Sequence, residues 1–273
     1  MGLHSDAPMQ LTPELLLSAK VRLLQMHYES GVGHIGGNLS CFDVLMELYH
    51  NVLGPSDKFV LSKGHSAGAL YVTLWSLGIL TDDDLKTFHQ DGTRLSGHPP
   101  VHSISEIAFA TGSLGHGLGL SAGIALAKKL KGEKGRVFCL TSDGEWNEGS
   151  NWEALIFSRH HGLNVTLIVD LNGLQGFGET RDIADLEPLA DKFSAFRVPT
   201  VEVDGHDVEA VTAALRREGD GPMVIVTKTK KGHGVSFMEG LFESHYVPLS
   251  RESYQQAIEE LTRSCVTPSA ALL

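Results

Sequence analysis

Cysteine and positive charge are both scarce in this sequence of 273 residues. Its three cysteines, Cys41, Cys139 and Cys265, are scattered and lack the Cys-x-x-Cys spacing of a metal site or redox motif, so we expect reduced thiols. Lysine and arginine number 22 against 33 aspartates and glutamates, which gives a net charge of −11. Because nucleic acid and anionic membrane surfaces would repel such a chain, neither is expected as a partner.

Long apolar runs are also missing. Runs such as residues 165–169 are far shorter than the roughly 20 residues that cross a bilayer. The start, MGLHSDAPMQ, lacks the charged and then apolar pattern of a signal peptide, which predicts a cytoplasmic protein. The hydrophobic fraction of 42% and the charged fraction of 20% are typical of a globular protein with an ample core.

Helical and strand patterns alternate along the second half of the chain. Helices are predicted over residues 12–30, 40–50, 66–77, 151–162 and 207–219, and a turn that leads into a helix over 110–130. Strands are predicted over 136–143, 164–172, 200–205 and 222–230. Continuous Val/Ile/Leu strands between helices indicate a parallel sheet covered on both faces. We therefore predict one doubly wound α/β domain over residues 1–273, in which 241–273 form a C-terminal interface tail.

Polar side chains close two of the most apolar strands. Asp143 and Gly144 end the first of these strands, and Asp170 and Asn172 end the second. In parallel sheets ligands bind at the carboxyl ends of strands, and these two ends are one βαβ unit apart. Carboxylate, amide and carbonyl oxygens are the ligands that Mg²⁺ or Ca²⁺ prefers, and glycine lets a diphosphate approach the backbone. The sequence thus predicts a metal-diphosphate site, although aspartate and asparagine alone are also common in turns.

These strand ends resemble the metal motif of thiamine-diphosphate-dependent enzymes, GDG followed on the next strand by a doublet ending in asparagine. Ser142 stands here in place of the first glycine. The similarity is greater to transketolases, and greatest to the N-terminal subunit of split, two-chain transketolases. The matching segments occur in family order: GVGHIGGNLS (31–40), DKFVLSKGHSAGALY (57–71), SGHPP (96–100), TGSLGHGLG (111–119), SDGEWNEGSNWEA (142–154), DLNGLQGFGET (170–180) and KTKKGHGVSFME (228–239).

The resemblance implies a cofactor, thiamine diphosphate, and a set of residues that hold it. Asp143, Asn172 and the carbonyl of Leu174 would ligate the metal, which we expect to be Mg²⁺, with Ca²⁺ as an alternative. His65 and Gly144 would contact the diphosphate, close to Asn172.

Further positions match residues at the other end of the cofactor and in the substrate channel. Ser113 and Leu114 would lie against the aminopyrimidine. Glu148 resembles the buried glutamate that couples two cofactor sites across a subunit interface. His34 and His98 match channel histidines and, with His65, would bind substrate oxygens and shuttle protons.

Further departures from the family pattern fall in these segments or shortly after them. Ile35 replaces a proline, and His116 replaces a glutamine near the cofactor. The Trp-His-Gly that split transketolases tend to carry is Ser244-His245-Tyr246 here. We assign His245 to the diphosphate side of the site, and we interpret His116 and Tyr246 as signs of an altered donor or acceptor pocket.

Thiamine chemistry also needs a second protein part, which supplies a glutamate to the aminopyrimidine. All matched segments belong to the diphosphate part, and residues 241–273 are too few for a pyrimidine domain. The resemblance therefore implies half of an enzyme, active with a C-terminal subunit in an α2β2 heterotetramer. Its reaction would transfer a two-carbon ketol unit from a ketose or ketose phosphate to an aldose.

Three alternatives use the same residues differently. An acyloin synthase or a 2-oxo acid decarboxylase-like pair would share the scaffold and the cofactor. GLGLSA at 117–122 loosely fits a dinucleotide-binding motif, but it follows a turn rather than a strand and lacks the acidic residue that should come later. A non-catalytic interaction subunit is the third alternative, against which the intact Asp143, Asn172 and Glu148 argue.

Overall fold

A computed structural model of the chain describes residues 10–101 and 103–266, and the side chains as far as Arg263, so the prediction for Cys265 lies outside the described residues. The strands are β1 (Lys58–Leu61), β2 (Val137–Ser142), β3 (Val165–Leu171), β4 (Thr200–Asp204) and β5 (Met223–Lys228). The helices are α1 (Pro13–Ser30), α2 (Ile35–Glu47), α3 (Ala67–Ser76), α4 (Asp82–Leu85), α5 (Gly117–Lys131), α6 (Gly149–His160), α7 (Thr180–Ala184), α8 (Leu189–Ala195), α9 (Val208–Leu215) and α10 (Arg251–Val266).

All five strands lie parallel in one sheet, in the order β1-β2-β3-β5-β4. The prediction of a parallel sheet with helices on both faces is confirmed. Strand β1 was not expected from the sequence, because it has only four residues and begins with an exposed lysine. Its position at one edge places the residues that follow it beside the end of β2.

The sheet separates two apolar layers, since successive residues of a strand point to opposite faces. Phe138 and Leu140 of β2 join a large cluster with α1, α2, α3, α9 and α10, whereas Val137 and Cys139 join a second cluster with α5, α6 and α8. Burial on both faces explains why β2, β3 and β5 have nearly unbroken apolar sequences.

Helix α2 is buried along its whole length, although it carries acidic residues. Each buried carboxylate has partners: Asp43 pairs with Lys20 at 2.6 Å and with His206 at 2.8 Å. Glu47 accepts hydrogen bonds from Asn51 and Thr212. Because a buried charge without a partner is costly, these contacts allow α2 to pass through the interior and start at the candidate site.

The chain after β5 returns to the first helix. Tyr254 of α10 stacks on Tyr28 of α1 with ring centroids 4.5 Å apart, and Ala257 and Leu261 are buried. That residues 241–273 form one domain with the rest and serve as an interface tail stays a prediction. Across the described ranges, no helix is both long and apolar enough to span a membrane.

His27 generates a prediction about pH and stability. Its ring is 1% exposed, neither ring nitrogen has a well-formed hydrogen bond within the described ranges, and burial lowers its pKa to about 4. In the unfolded chain the imidazole has a pKa near 6.5, so between pH 6.5 and pH 4 the unfolded state binds a proton that the folded state does not. We expect His27 to lower the free energy of unfolding by about 2 kcal/mol when the pH falls from 7.5 to 5, and we expect His27→Gln to lack this loss.

Urea unfolding at the two pH values measures the difference between wild type and variant. His161→Gln, at an exposed position, should follow the wild type. An equal loss of stability in wild type and His27→Gln would show that His27 does not cause the acid sensitivity.

Candidate active site

The carboxyl ends of β1, β2, β3 and β5 meet at one edge of the sheet and bring together residues far apart in sequence. Lys63 follows β1, Asp143 follows β2, Asp170 lies near the end of β3, and Thr229 follows β5. The N-terminal half of α2 closes the same edge, since Ser40, in its second turn, donates a hydrogen bond to Asp170 at 2.6 Å. This edge is where a doubly wound sheet binds its ligands.

A buried ion pair between Lys63 and Asp170 forms the centre of this edge. Both side chains are inaccessible to solvent. Lys63 also donates to the carbonyl of Gly37 at 3.0 Å. Burial opposes both charges, but Lys63 lowers the pKa of Asp170, and Asp170 raises the pKa of Lys63 above its ordinary value. Asp170 was singled out by the sequence as a strand-end carboxylate, whereas Lys63 was not.

Asp143 has no cationic partner within ion-pair distance among the described residues. Its carboxylate accepts hydrogen bonds from Gly144 N at 2.8 Å, Gly173 N at 2.8 Å and the Thr180 hydroxyl at 3.0 Å. Burial, and next the charge of Asp170, raise the pKa of Asp143 to about 6. A cation bound at this carboxylate would favour its ionised form, which is the behaviour expected of a metal ligand.

The loop over residues 172–180 carries the other two predicted metal ligands. The amide nitrogen of Asn172 donates to Asp170 at 3.2 Å, which fixes its orientation, and its oxygen accepts from Leu174 N at 3.1 Å. Thr180 N donates to Gly173 O at 2.9 Å and closes the loop. Asp143, Asn172 and Leu174 are therefore connected through one hydrogen-bonded loop at the strand ends.

Three imidazoles form a wall beside this loop. The ring centroids of His34, His65 and His245 lie 4.8 to 5.7 Å apart. The backbone N–H of His34 donates to His245 O at 2.8 Å, and His34 adopts φ 65°, a left-handed conformation unusual outside glycine. Burial lowers the pKa of all three, and for His245 to about 3. At neutral pH they are neutral donors and acceptors.

Lys231 is a functional candidate that the sequence reasoning missed. It is 2% exposed, and its ammonium group donates to His245 Nδ1 at 2.7 Å and to Leu174 O at 3.3 Å. Burial, together with the nearby charge of Lys63, lowers its pKa to about 8. The available signal was its place just after β5, within the matched segment at 228–239.

Ser113 and Leu114 lie on an exposed loop whose next residue is anchored from inside. Buried Glu145 accepts hydrogen bonds from Gly115 N at 3.0 Å and from the Ser62 hydroxyl at 2.5 Å. A cavity of about 570 Å³ runs along the exposed side of the loop; it is lined by Ala110, Thr111, Ser113, His116, Gly119 and Leu120. Glu145 was not identified from the sequence, because its neighbour Glu148 matched the family pattern.

Two further predicted residues lie against the loop at 111–116, and the charge of His98, when it is protonated, acts on His34 of the histidine wall. The ring of His98 packs against Gly112, where a Cβ would lie 2.7 Å from it. Glu148 is exposed at the start of α6. In the single chain Glu148 is therefore not the buried glutamate that the resemblance describes, and only a partner surface could cover it.

A second cluster of possible ligands lies between α2 and the segments that follow β4 and β5. Among the described residues, Asp43, His206 and His233 are the one group of three or more acidic, histidine or cysteine side chains close enough to share an ion. However, Lys230 N donates to His206 Nε2 at 2.9 Å, so the His206 proton lies on Nδ1 and faces Asp43. Because Lys20 occupies the other oxygen of Asp43, both carboxylate oxygens and both nitrogens of His206 already have partners, whereas His233 Nδ1 has no hydrogen bond among the described residues.

Comparison with known proteins places the chain among thiamine diphosphate-binding proteins. Residues 17–265 match the family model of the transketolase thiamine diphosphate binding domain. The A subunit of the apulose-4-phosphate transketolase of Actinobacillus succinogenes is 37% identical over 254 residues, which cover 89% of this chain and 92% of that protein. The 6-deoxy-6-sulfo-D-fructose transketolase subunit SqwG of a Clostridium species is 37% identical over 246 residues, 85% of this chain and 90% of that protein.

A solved structure supports the same grouping. The transketolase of Campylobacter jejuni superposes with a TM-score of 0.83 at 29% identity, over 92% of this chain. The match covers 43% of that transketolase, so this chain spans less than half of its length.

The buried pair of Lys63 and Asp170 generates a prediction about stability. Lys63→Met should lower the free energy of unfolding by about 3–5 kcal/mol, because it leaves a buried carboxylate without its counter-charge. Lys63→Met combined with Asp170→Asn should recover part of this loss, since no buried charge remains. The exposed pair of Lys228 and Glu202 is the control: Lys228→Met should cost less than about 1 kcal/mol.

Urea unfolding of the ligand-free chain measures all three variants. If Lys63→Met lowered the free energy of unfolding no more than Lys228→Met, the buried pair would not be a major source of stability at this edge of the sheet.

Proposed function

The chain belongs to the transketolase family, and we propose that it binds thiamine diphosphate and Mg²⁺ through Asp143, Asn172 and the carbonyl of Leu174. The family assignment confirms the sequence-based prediction of a thiamine-diphosphate-dependent transferase subunit that acts in ketol transfer. The observation that carries the proposed site is the single loop that carries Asn172 and Leu174 and donates a hydrogen bond from Gly173 N to the buried carboxylate of Asp143.

The donor set suits a hard divalent cation. One carboxylate, one amide oxygen and one backbone carbonyl leave room for phosphate oxygens and water in an octahedral shell, as Mg²⁺ prefers. Lys231 and His65 lie beside this loop and can face the diphosphate, which carries more negative charge than one divalent ion neutralises. We therefore include Lys231 and His65 in the diphosphate site, together with His245, whose Nδ1 accepts a hydrogen bond from Lys231, and Gly144 as the point of close backbone approach.

When bound, thiamine diphosphate supplies the electron sink for breaking and making carbon–carbon bonds. The chain contributes orientation and proton traffic. His34 and His65 are neutral and can donate to a ketose carbonyl or accept a hydroxyl proton. Lys231 donates to His245 Nδ1, so the His245 proton lies on Nε2. We assign His98 to the same channel, on the side of the loop that carries Ser113 and Leu114.

A second chain completes the site, as the relatives that are single subunits of transketolases imply. Ser113, Leu114 and Glu148 are exposed in the single chain, and so are the apolar side chains of Ile156 and Phe157 on α6. These residues support a partner surface that brings the pyrimidine domain against the loop at 111–116. We propose an α2β2 assembly, in which Glu148 becomes buried at the interface.

The sugar substrates belong to this proposal too. Relatives are named for apulose 4-phosphate and for 6-deoxy-6-sulfo-D-fructose, both sugar derivatives with an anionic group. We propose a ketose or ketose phosphate as donor and an aldose as acceptor. The alternative of an acyloin synthase or decarboxylase-like pair is not favoured, since these relatives are transketolase subunits.

Reconstitution tests the proposed function. We expect the chain, mixed with its pyrimidine-domain partner, thiamine diphosphate and Mg²⁺, to transfer a two-carbon unit from a ketose phosphate to an aldose, and neither chain to do so alone. Asp143→Asn should lower the rate by at least about 100-fold, because a metal ligand is lost. Asp182→Asn, at an exposed carboxylate near the same loop, should leave the rate unchanged.

Product analysis by mass spectrometry provides the readout. If the pair converted pyruvate but used no ketose, the assignment of ketol transfer would be wrong. If the chain alone were fully active, it would not be half of an enzyme.

Lys231 generates a separate prediction about cofactor affinity. Lys231→Met should weaken binding of Mg²⁺-thiamine diphosphate by about 10- to 100-fold, the worth of a hydrogen bond to a charged group. Binding of thiamine monophosphate should change much less, because we place Lys231 at the terminal phosphate. Thermal shift titration of the partnered and single chains measures both.

The neighbouring residue offers a matched control. Lys230 is exposed, and its ammonium group forms a single ion pair among the described residues, with Glu239 at 3.7 Å, so Lys230→Met should bind like the wild type. Equal weakening of diphosphate and monophosphate by Lys231→Met would instead indicate a structural role for Lys231.

A further inference from the structure

Tyr246 stands where the family resemblance expects a glycine, and it connects two parts of the site. Its hydroxyl donates to the carbonyl of Gly176, on the loop at 172–180, at 3.0 Å. Its ring lies 5.8 Å from the ring of His34 and 4.4 Å from that of His245. The side chain therefore reaches from the histidine wall to the loop that carries Leu174.

Two glycines make room for this arrangement. A Cβ on Gly33 would lie 2.4 Å from the carbonyl oxygen of Tyr246, and a Cβ on Gly176 would lie 2.7 Å from its hydroxyl. Such close approaches are possible only without side chains at these positions. The placement of Tyr246 is thus built into the backbone on both sides, which distinguishes it from an aromatic residue lying freely on the surface.

The segment around Tyr246 is largely apolar and carries no lysine or arginine. The Tyr246 side chain is half-exposed, and Phe242 and Val247 are exposed beside it. The one acidic or basic residue in 241–250, histidine aside, is Glu243. Beside the histidine wall, this segment offers an aromatic surface to the carbon chain of a sugar. It provides no lysine or arginine to bind the phosphate group of a ketose phosphate.

We propose that Tyr246 is a specificity-determining residue that selects ketose donors by length. The inference rests on the proposed function. Its ring narrows the space above His34 and His245, and its hydroxyl holds the loop at 172–180 against that space. Donors with few carbons beyond the reacting carbonyl fit, whereas longer ketose phosphates meet the ring. Selection acts mainly on KM, because the ring touches the part of the donor that does not react.

Donor competition in the reconstituted two-chain holoenzyme tests the proposal. The donors are hydroxypyruvate, xylulose 5-phosphate, fructose 6-phosphate and sedoheptulose 7-phosphate. Tyr246→Gly should raise kcat/KM for the seven-carbon donor relative to hydroxypyruvate by at least about tenfold, with most of the change in KM. Tyr246→Phe keeps the ring and should keep the ratio within about twofold of wild type. Phe177→Ala, at an 89% exposed aromatic residue, should leave the ratio unchanged.

A second measurement needs neither partner nor cofactor. Hydrogen exchange of the ligand-free chain should be faster at residues 173–180 in both Tyr246→Phe and Tyr246→Gly, because the bond to Gly176 is lost. This arm also separates the two proposals. If the wild-type pair uses no ketose, the proposed function is wrong. The contact of Tyr246 with the loop is then tested by hydrogen exchange alone, and unchanged exchange rates at residues 173–180 in Tyr246→Phe would contradict it. An active pair whose donor ratio is the same in Tyr246→Gly overturns the selection itself.

Discussion

The ion pair between Lys63 and Asp170 is the contact on which the rest of the site depends. It joins the segment after β1 to the end of β3, and its partners extend to the start of α2 through Ser40 and to the end of β5 through Thr229. Four elements from distant parts of the chain thus converge on one buried carboxylate. Because both charges are fully buried, separating them would be costly, so the pair fixes the positions of the loops that contact it.

The pair also decides which carboxylate is available to a ligand. Asp170 is neutralised by Lys63, whereas Asp143, under the influence of burial and of Asp170, has a raised pKa and no ion-pair partner in the part of the chain that the structure describes. Two aspartates at adjacent strand ends therefore have different roles, one structural and one suited to a metal. Lys231 is a second buried lysine at the edge, and it faces the loop carbonyl and His245 instead of a carboxylate.

One side of the candidate site is formed by residues that contact one another within the chain, and the other side is exposed to solvent. The histidine wall, the loop at 172–180 and Tyr246 are held by contacts within the chain. By contrast, Ser113, Leu114 and Glu148 project from a loop and a helix start that are well anchored by Glu145 but face outward. A preformed half with an exposed, anchored edge suits a chain that is similar to single subunits of two-component transketolases.

The sequence by itself determined the sheet and placed Asp143 and Asn172 at one edge of it, because both depend on local patterns. Unbroken apolar strands specify a parallel sheet, and strand ends of such a sheet must share an edge, so the nearness of Asp143 to the loop that begins at Asn172 follows from the strand pattern. The tertiary structure alone decided the rest. Lys231 meets Leu174 across 57 positions and Tyr246 meets Gly176 across 70, while Lys63 finds Asp170 across 107. No periodicity encodes such contacts, since they arise only when the segments after different strands pack against one another.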